Sequence, residues 1–176
     1  MTAKNARSLA QRSLDLAWDG SLPVDPVRLA SRLVVRLKRS EGEMEQVAIV
    51  VRQARGGEMH DASSKASIER TEQGLQYVIV FNKDEISYRN RFAVAHELGH
   101  LMLGHMTEGS APLMHHNYSG GTREDDLANA FATTLLLPEK MARFLFPSAK
   151  SIQQFATAFG VANEAAIARV KELRML

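Results

Sequence analysis

Two of the six histidines in this 176-residue chain stand four residues apart around a glutamate, in the run His96-Glu97-Leu98-Gly99-His100. Residues i and i+4 of a helix share one face a turn apart, so both imidazoles can reach a single cation. Zinc suits such ligands, taking neutral nitrogen at about 2.0–2.1 Å and bringing no redox chemistry of its own. Glu97, beside the first ligand, is placed to take a proton from a water that the cation activates. The flanks Phe92, Val94, Leu98, Leu101, Met102 and Leu103 make this helix apolar nearly all round, hence buried. Ionisable groups in such a helix are costly unless paired or bound to a metal. A core helix whose histidines bond only to backbone or carboxylates is the plainer reading, and the pair with Glu97 weighs against it. Gly99 gives up about 1 kcal/mol of helix propensity relative to alanine but removes bulk beside the ligands. Gly104 suits the left-handed residue that ends a helix.

A catalytic zinc needs a third protein ligand and an open position. The extension H-E-x-x-H-x-x-G-x-x-H is absent: His105 lies five residues past His100, toward the opposite face. His115 and His116 fall in a loop over residues 105–121 and rank below a carboxylate on the next helix. In that helix Asp125, Ala128, Asn129 and Ala132 share one face, whose small residues permit close approach to the H-E-x-x-H helix. Asp125 is therefore the first candidate for third ligand, and Glu124 the second. Asp125 also fits the N3 position of a capping box with Thr122, where the helix dipole favours acids anyway. Asn129 is placed either to orient a ligand histidine or to serve as a surface amide. Tyr118, His115 and His116 are loop candidates for a second donor to a developing oxyanion, against the plainer reading of solvated loop residues.

These helices need a scaffold. Lys4 to Trp18 reads as an amphipathic helix through Leu9, Leu14, Leu16 and Trp18, and Asp25-Pro26 as the cap and first residue of a second through Val27, Leu29, Ala30 and Leu33. Val34–Lys38 and Val47–Val51 read as strands, and Ile68–Thr71 with Leu75–Asn82 as a hairpin about Glu72-Gln73-Gly74. Tyr77-Val78-Ile79-Val80-Phe81 is apolar on both faces, so both faces should be covered. From Ile86 onward the pattern is helical except for the loop over residues 105–121, with helices at Thr122–Leu137, Glu139–Phe146, Ser151–Phe159 and Asn163–Leu173. The length, with 45% hydrophobic and 24% charged residues, fits one domain over residues 1–176. Residues 148–176 hold a helical pair resembling a helix-turn-helix, although core packing explains Phe155, Phe159, Val161, Ile167 and Val170 equally well.

The absence of cysteine excludes disulfides, thiolate metal sites and cysteine nucleophiles. No apolar run approaches the roughly 20 residues of a membrane span, and the first twenty residues show no signal-like stretch, so a cytoplasmic protein without membrane contact is expected. The net charge is only +2. Both ends are basic and residues 56–139 are acidic, a pattern that ordinary solvated faces explain, and no Lys/Arg cluster points to direct DNA binding.

The run from Arg91 to Leu103 followed by Ala128-Asn129-Ala130-Phe131-Ala132-Thr133-Thr134-Leu135-Leu136-Leu137-Pro138 resembles the ImmA/IrrE family of zinc-dependent peptidases. Residues 86–138 carry the resemblance, and the remainder is similar in order and length of elements only. It implies an α+β, gluzincin-like zincin domain: a small sheet packed on the H-E-x-x-H helix, with helical segments at both ends. It implies one Zn²⁺ per chain, with His96 and His100 as ligands and Glu97 as catalytic carboxylate. The position matching the family's third-ligand glutamate is Asp125, one methylene shorter, so its helix must come closer or Glu124 must substitute. The activity implied is selective intracellular endopeptidase cleavage of a protein, typically a helix-turn-helix repressor controlling phage, mobile-element, stress-response or toxin–antitoxin genes. The alternative is a weak or inactive relative that binds a repressor or associates with DNA as a regulatory module.

Overall fold

The computed structural model describes residues 1–38, 42–59, 61–82, 84–85, 87–116 and 121–176. Among these, helices α1 (Ala3–Ala17) and α2 (Pro26–Arg32) precede strands β1 (Val35–Lys38), β2 (Met44–Gln53), β3 (Ser64–Thr71) and β4 (Gly74–Phe81). Helix α3 (Ser87–Met102), strand β5 (Leu113–His115) and helices α4 (Arg123–Leu136), α5 (Glu139–Leu145), α6 (Ile152–Phe159) and α7 (Asn163–Glu172) follow. The chain is α+β. The loop expected over residues 105–121 holds a strand, β5, whose three residues are too few to show a periodic pattern.

The sheet runs β1-β2-β4-β3-β5, with β2 and β4 parallel and the other neighbours antiparallel. Central β4 has both faces covered, as its unbroken apolar run requires. Leu75, Tyr77 and Ile79 join the main core with Val94, Leu98 and Leu101 of α3. Val78 and Val80 point the other way, into a small cluster with Met59 and Ala62. β4 follows β3 through the expected tight turn, which pairs Thr71 with Gly74 and sets Ser64 opposite Phe81 at the far end of the hairpin.

Helix α1 buries Ala6, Ala10, Ser13, Leu14 and Ala17 and packs against α4. Leu16, read from sequence as part of the apolar face, is 80% exposed. Leu14 and Leu16 lie about 200° apart around the helix, so the face that buries Leu14 with the small residues leaves Leu16 in solvent. In the closing helices Phe155, Phe159, Val161, Ala166 and Val170 lie in the core, whereas Ile167, also expected to pack, is exposed at the outer side of α7. The buried Arg169 guanidinium donates from Nε to the Leu137 carbonyl at 3.1 Å, closing the end of α4.

Helices α3 and α4 approach closely at Gly99. A Cβ there would stand 3.2 Å from the Cα and carbonyl oxygen of Ala128 and from the Cβ of Phe131. Two of these three atoms are backbone and cannot rotate away. Gly99→Val is expected to destabilise the chelator-treated protein by about 2 kcal/mol or more, lowering its calorimetric midpoint by roughly 5 °C. An unchanged melt would contradict the close approach.

Candidate metal centre

Helix α3 presents His96, Glu97 and His100 on its buried side. The Nε2 atoms of His96 and His100 lie 3.0 Å apart. His96 Nδ1 stands 2.8 Å from the Asn129 side-chain oxygen, which can only accept, so the His96 proton sits on Nδ1 and the Nε2 lone pair is bare. His100 Nδ1 meets His105 Nδ1 at 3.1 Å. With His100 the donor in that bond, its Nε2 lone pair also points inward. Burial, and then the neighbouring histidines, push the pKa of His96 and of His100 down to about 3. Both are thus neutral imidazoles, the form that binds metals.

Asp125 caps α4 with one carboxylate oxygen and turns the other toward the histidines. Its Oδ2 accepts the Thr122 backbone N–H at 2.7 Å, while Thr122 Oγ1 accepts from the Asp125 N–H at 3.2 Å, a reciprocal cap on α4. Its Oδ1 turns inward, 3.5 Å from His100 Nε2 and 3.2 Å from His115 Nε2. Burial raises the Asp125 pKa, but the Thr122 bonds and His115 outweigh it and hold the carboxyl below its ordinary value. Glu124, the alternative third ligand, is exposed and lies outside the cluster: one residue earlier on α4, it faces about 100° away.

Glu97 is fully buried. Its Oε1 accepts from the Ser64 hydroxyl at the start of β3 and stands 2.7 Å from His115 Nδ1. Its Oε2 is buried with no hydrogen-bond partner among the described residues. Tyr77 Oη, from the middle of β4, donates to the Glu97 carbonyl at 2.8 Å, fixing the sheet to the helix at this residue.

Two placements, those of His115 and His105, depart from the sequence reading, and His116 agrees with its plainer one. His115, ranked below a carboxylate and left in a loop, sits inside the site because β5 pairs with β3 and sets Ser64 opposite His115. Its pKa is raised: burial works against the charge, but the bonds and charges of Glu97 and Asp125 overcome it. His105 does not lie on the opposite face. Gly104 takes φ +71° and turns the chain back, so that the His105 N–H bonds the His100 carbonyl and its ring reaches the His100 ring. His116 is 55% exposed beside Asp61, away from the cluster. Tyr118 lies outside the described residues. Ser64 and Tyr77 had no sequence signal, since a serine and a tyrosine in strands acquire these roles only from what packs against them.

His96, His100, His115 and Asp125 each offer one donor atom, and those atoms all lie within 4.8 Å of one another. Bare imidazole nitrogens converging on a carboxylate in a buried site repel one another unless a cation or proton lies between them, and three nitrogens with one oxygen form a donor set that zinc accepts. Asn129 also lines a cleft of about 550 Å³ that runs between Phe92, Thr133, Val161 and Ala165. The sequence model of Peptidase_M78, the IrrE N-terminal-like domain, matches residues 44–171, from the start of β2 through nearly all of α7. The chain belongs to the Peptidase_M78 family. The M78 match makes this a metallopeptidase-like domain, a peptidase-type hydrolase by family, and the matched span includes the whole cluster and Glu97. No curated protein matches the chain. Among the described residues no helix is long and apolar enough to cross a membrane.

Proposed function

We propose that this M78 domain is a zinc-dependent endopeptidase of gluzincin-like design, in which His96, His100 and Asp125 hold one Zn²⁺ and Glu97 is the catalytic carboxylate. The observation that carries the reading is the 3.0 Å convergence of two buried imidazole Nε2 atoms beside a buried glutamate on the same helix. Zinc, when bound, polarises a scissile carbonyl and makes a nearby water acidic enough to attack at neutral pH. Glu97 takes the proton of that water on Oε2, which no group among the described residues engages, and returns it to the leaving amine. Ser64 holds the carboxylate's other oxygen and so sets its direction. Asn129 keeps His96 in the tautomer that presents Nε2. The cleft beside Asn129 receives the substrate's side chains.

The resemblance to repressor-cleaving peptidases supports a cytoplasmic helix-turn-helix repressor as substrate, bound as protein rather than through DNA. The test is zinc content followed by cleavage. Purified protein should carry about one zinc per chain and His96→Ala almost none. A helix-turn-helix repressor encoded beside the gene should then be cut at one bond, read by mass spectrometry. A protein that takes up no zinc after reconstitution would sink this reading.

A further inference from the structure

Strand β5 is three residues long, yet it places a side chain at the centre of the site. Its register sets His115 opposite Ser64, and both side chains converge on the same oxygen of Glu97. The His115 ring spans the gap between the glutamate and Asp125, with Nδ1 2.7 Å from Glu97 Oε1 and Nε2 3.2 Å from Asp125 Oδ1. Its centroid is 4.6 Å from the His96 ring and 5.1 Å from the His100 ring, and its side chain is only 13% exposed. The backbone follows: the Ser63 N–H donates to the His115 carbonyl at 2.7 Å, and β5 covers the edge of β3. A water and a peptide carbonyl would have to occupy the space this imidazole fills. An extended peptide seeking main-chain bonds would also find that edge of β3 taken.

We propose that β5 is a latch: His115 is a fourth ligand that closes the metal site at rest, and it must leave before a substrate can enter. This rests on the reading of the cluster as a metal centre. Four protein donors describe a closed, structural type of site, whereas catalysis requires one position open to water or substrate. The same four residues serve both states if one donor can withdraw. His96 and His100 are fixed on a buried helix and Asp125 by its cap, which leaves His115, carried by a short strand paired on a single edge. Short, peripheral strands are the segments that open at least cost. A repressor segment taking the place of β5 against β3 would supply main-chain bonds in exchange and free the fourth position. Selectivity then depends on which partners can displace the latch, in addition to what the cleft accepts.

The experiment compares wild type, His115→Ala and His115→Asn by zinc competition against a chromophoric chelator, by the visible spectrum of the Co²⁺-substituted proteins, and by hydrogen exchange at Leu113–His115 with and without zinc. All three proteins should bind one metal, the variants more weakly by about 10–100-fold, the range for losing a supporting partner of a metal site, or more. The intense cobalt bands of a tetrahedral site should fade in both variants as solvent enters. Zinc should slow exchange in β5 of wild type and leave it unchanged in the variants. The wild-type exchange measurement stands alone should a variant fold poorly. Variants with wild-type affinity and spectrum, or wild-type exchange in β5 indifferent to zinc, would overturn the latch and leave the three-ligand centre standing. Wild type that binds neither metal would instead overturn the centre itself.

Discussion

Glu97→Gln is expected to keep about one zinc per chain and to slow cleavage of the repressor by about 10²–10⁴-fold, the range for losing a positioned general base. The substitution changes almost nothing but proton affinity. Glutamine has the same length, and its carbonyl oxygen can still accept from the Ser64 hydroxyl as Oε1 does. The other terminus becomes an amide nitrogen in place of Oε2, the buried oxygen without a hydrogen-bond partner among the described residues. An amide nitrogen cannot take a proton from water. Tyr77 continues to hold the residue through its main-chain carbonyl, so its position on α3 is kept. Initial rates on the repressor, with zinc measured on the same samples, provide the check. A glutamine variant that cuts at the wild-type rate with a full complement of metal would remove Glu97 from the chemistry.

The second large effect belongs to Asp125, where two substitutions separate two functions. Asp125→Asn retains an oxygen to accept the Thr122 N–H but loses the negative charge facing His100 and His115. Its zinc affinity should fall by on the order of 100-fold, while its melt in the presence of chelator stays close to that of wild type. Asp125→Ala should lose the metal to at least the same degree. It should also melt lower in chelator, because the Thr122 N–H loses its acceptor, a bond worth about 1 kcal/mol, or roughly 2–4 °C for a chain of this size. Zinc titration and paired thermal melts read both effects. If Asp125→Asn binds zinc as wild type does, the third ligand lies elsewhere.

What the sequence made legible was local. His96, Glu97 and His100 lie within two turns of one helix, so their convergence needs only helical geometry. Asp125 could be named because it shares a face with Ala128 and Ala132. The two readings of Asp125 do not exclude each other, since one carboxylate oxygen caps α4 and the other faces His100. His105 was misplaced by extending a straight helix past Gly104, whose positive φ reverses the chain. The part that stayed hidden is the part made by pairing between distant segments. Nothing in Leu113-Met114-His115 announces a strand, because its partner is β3 and its stabilisation comes from Ser63 and Ser64. Likewise Leu16 looked interior and is exposed, because it lies about 200° around α1 from the buried Leu14.

The residues that secure α4 lie partly outside the matched span. At its start Arg123 donates to the Met1 carbonyl at 3.1 Å, and along its flank runs the alanine face of α1. Neither α1 nor Met1 belongs to residues 44–171. A fragment trimmed to the family boundaries would therefore strip one side of the helix that carries Asp125 and Asn129. The amino-terminal helix is in this sense a splint for the metal centre, and a tag or fusion joined at Met1 bears on the site's rigidity from a distance.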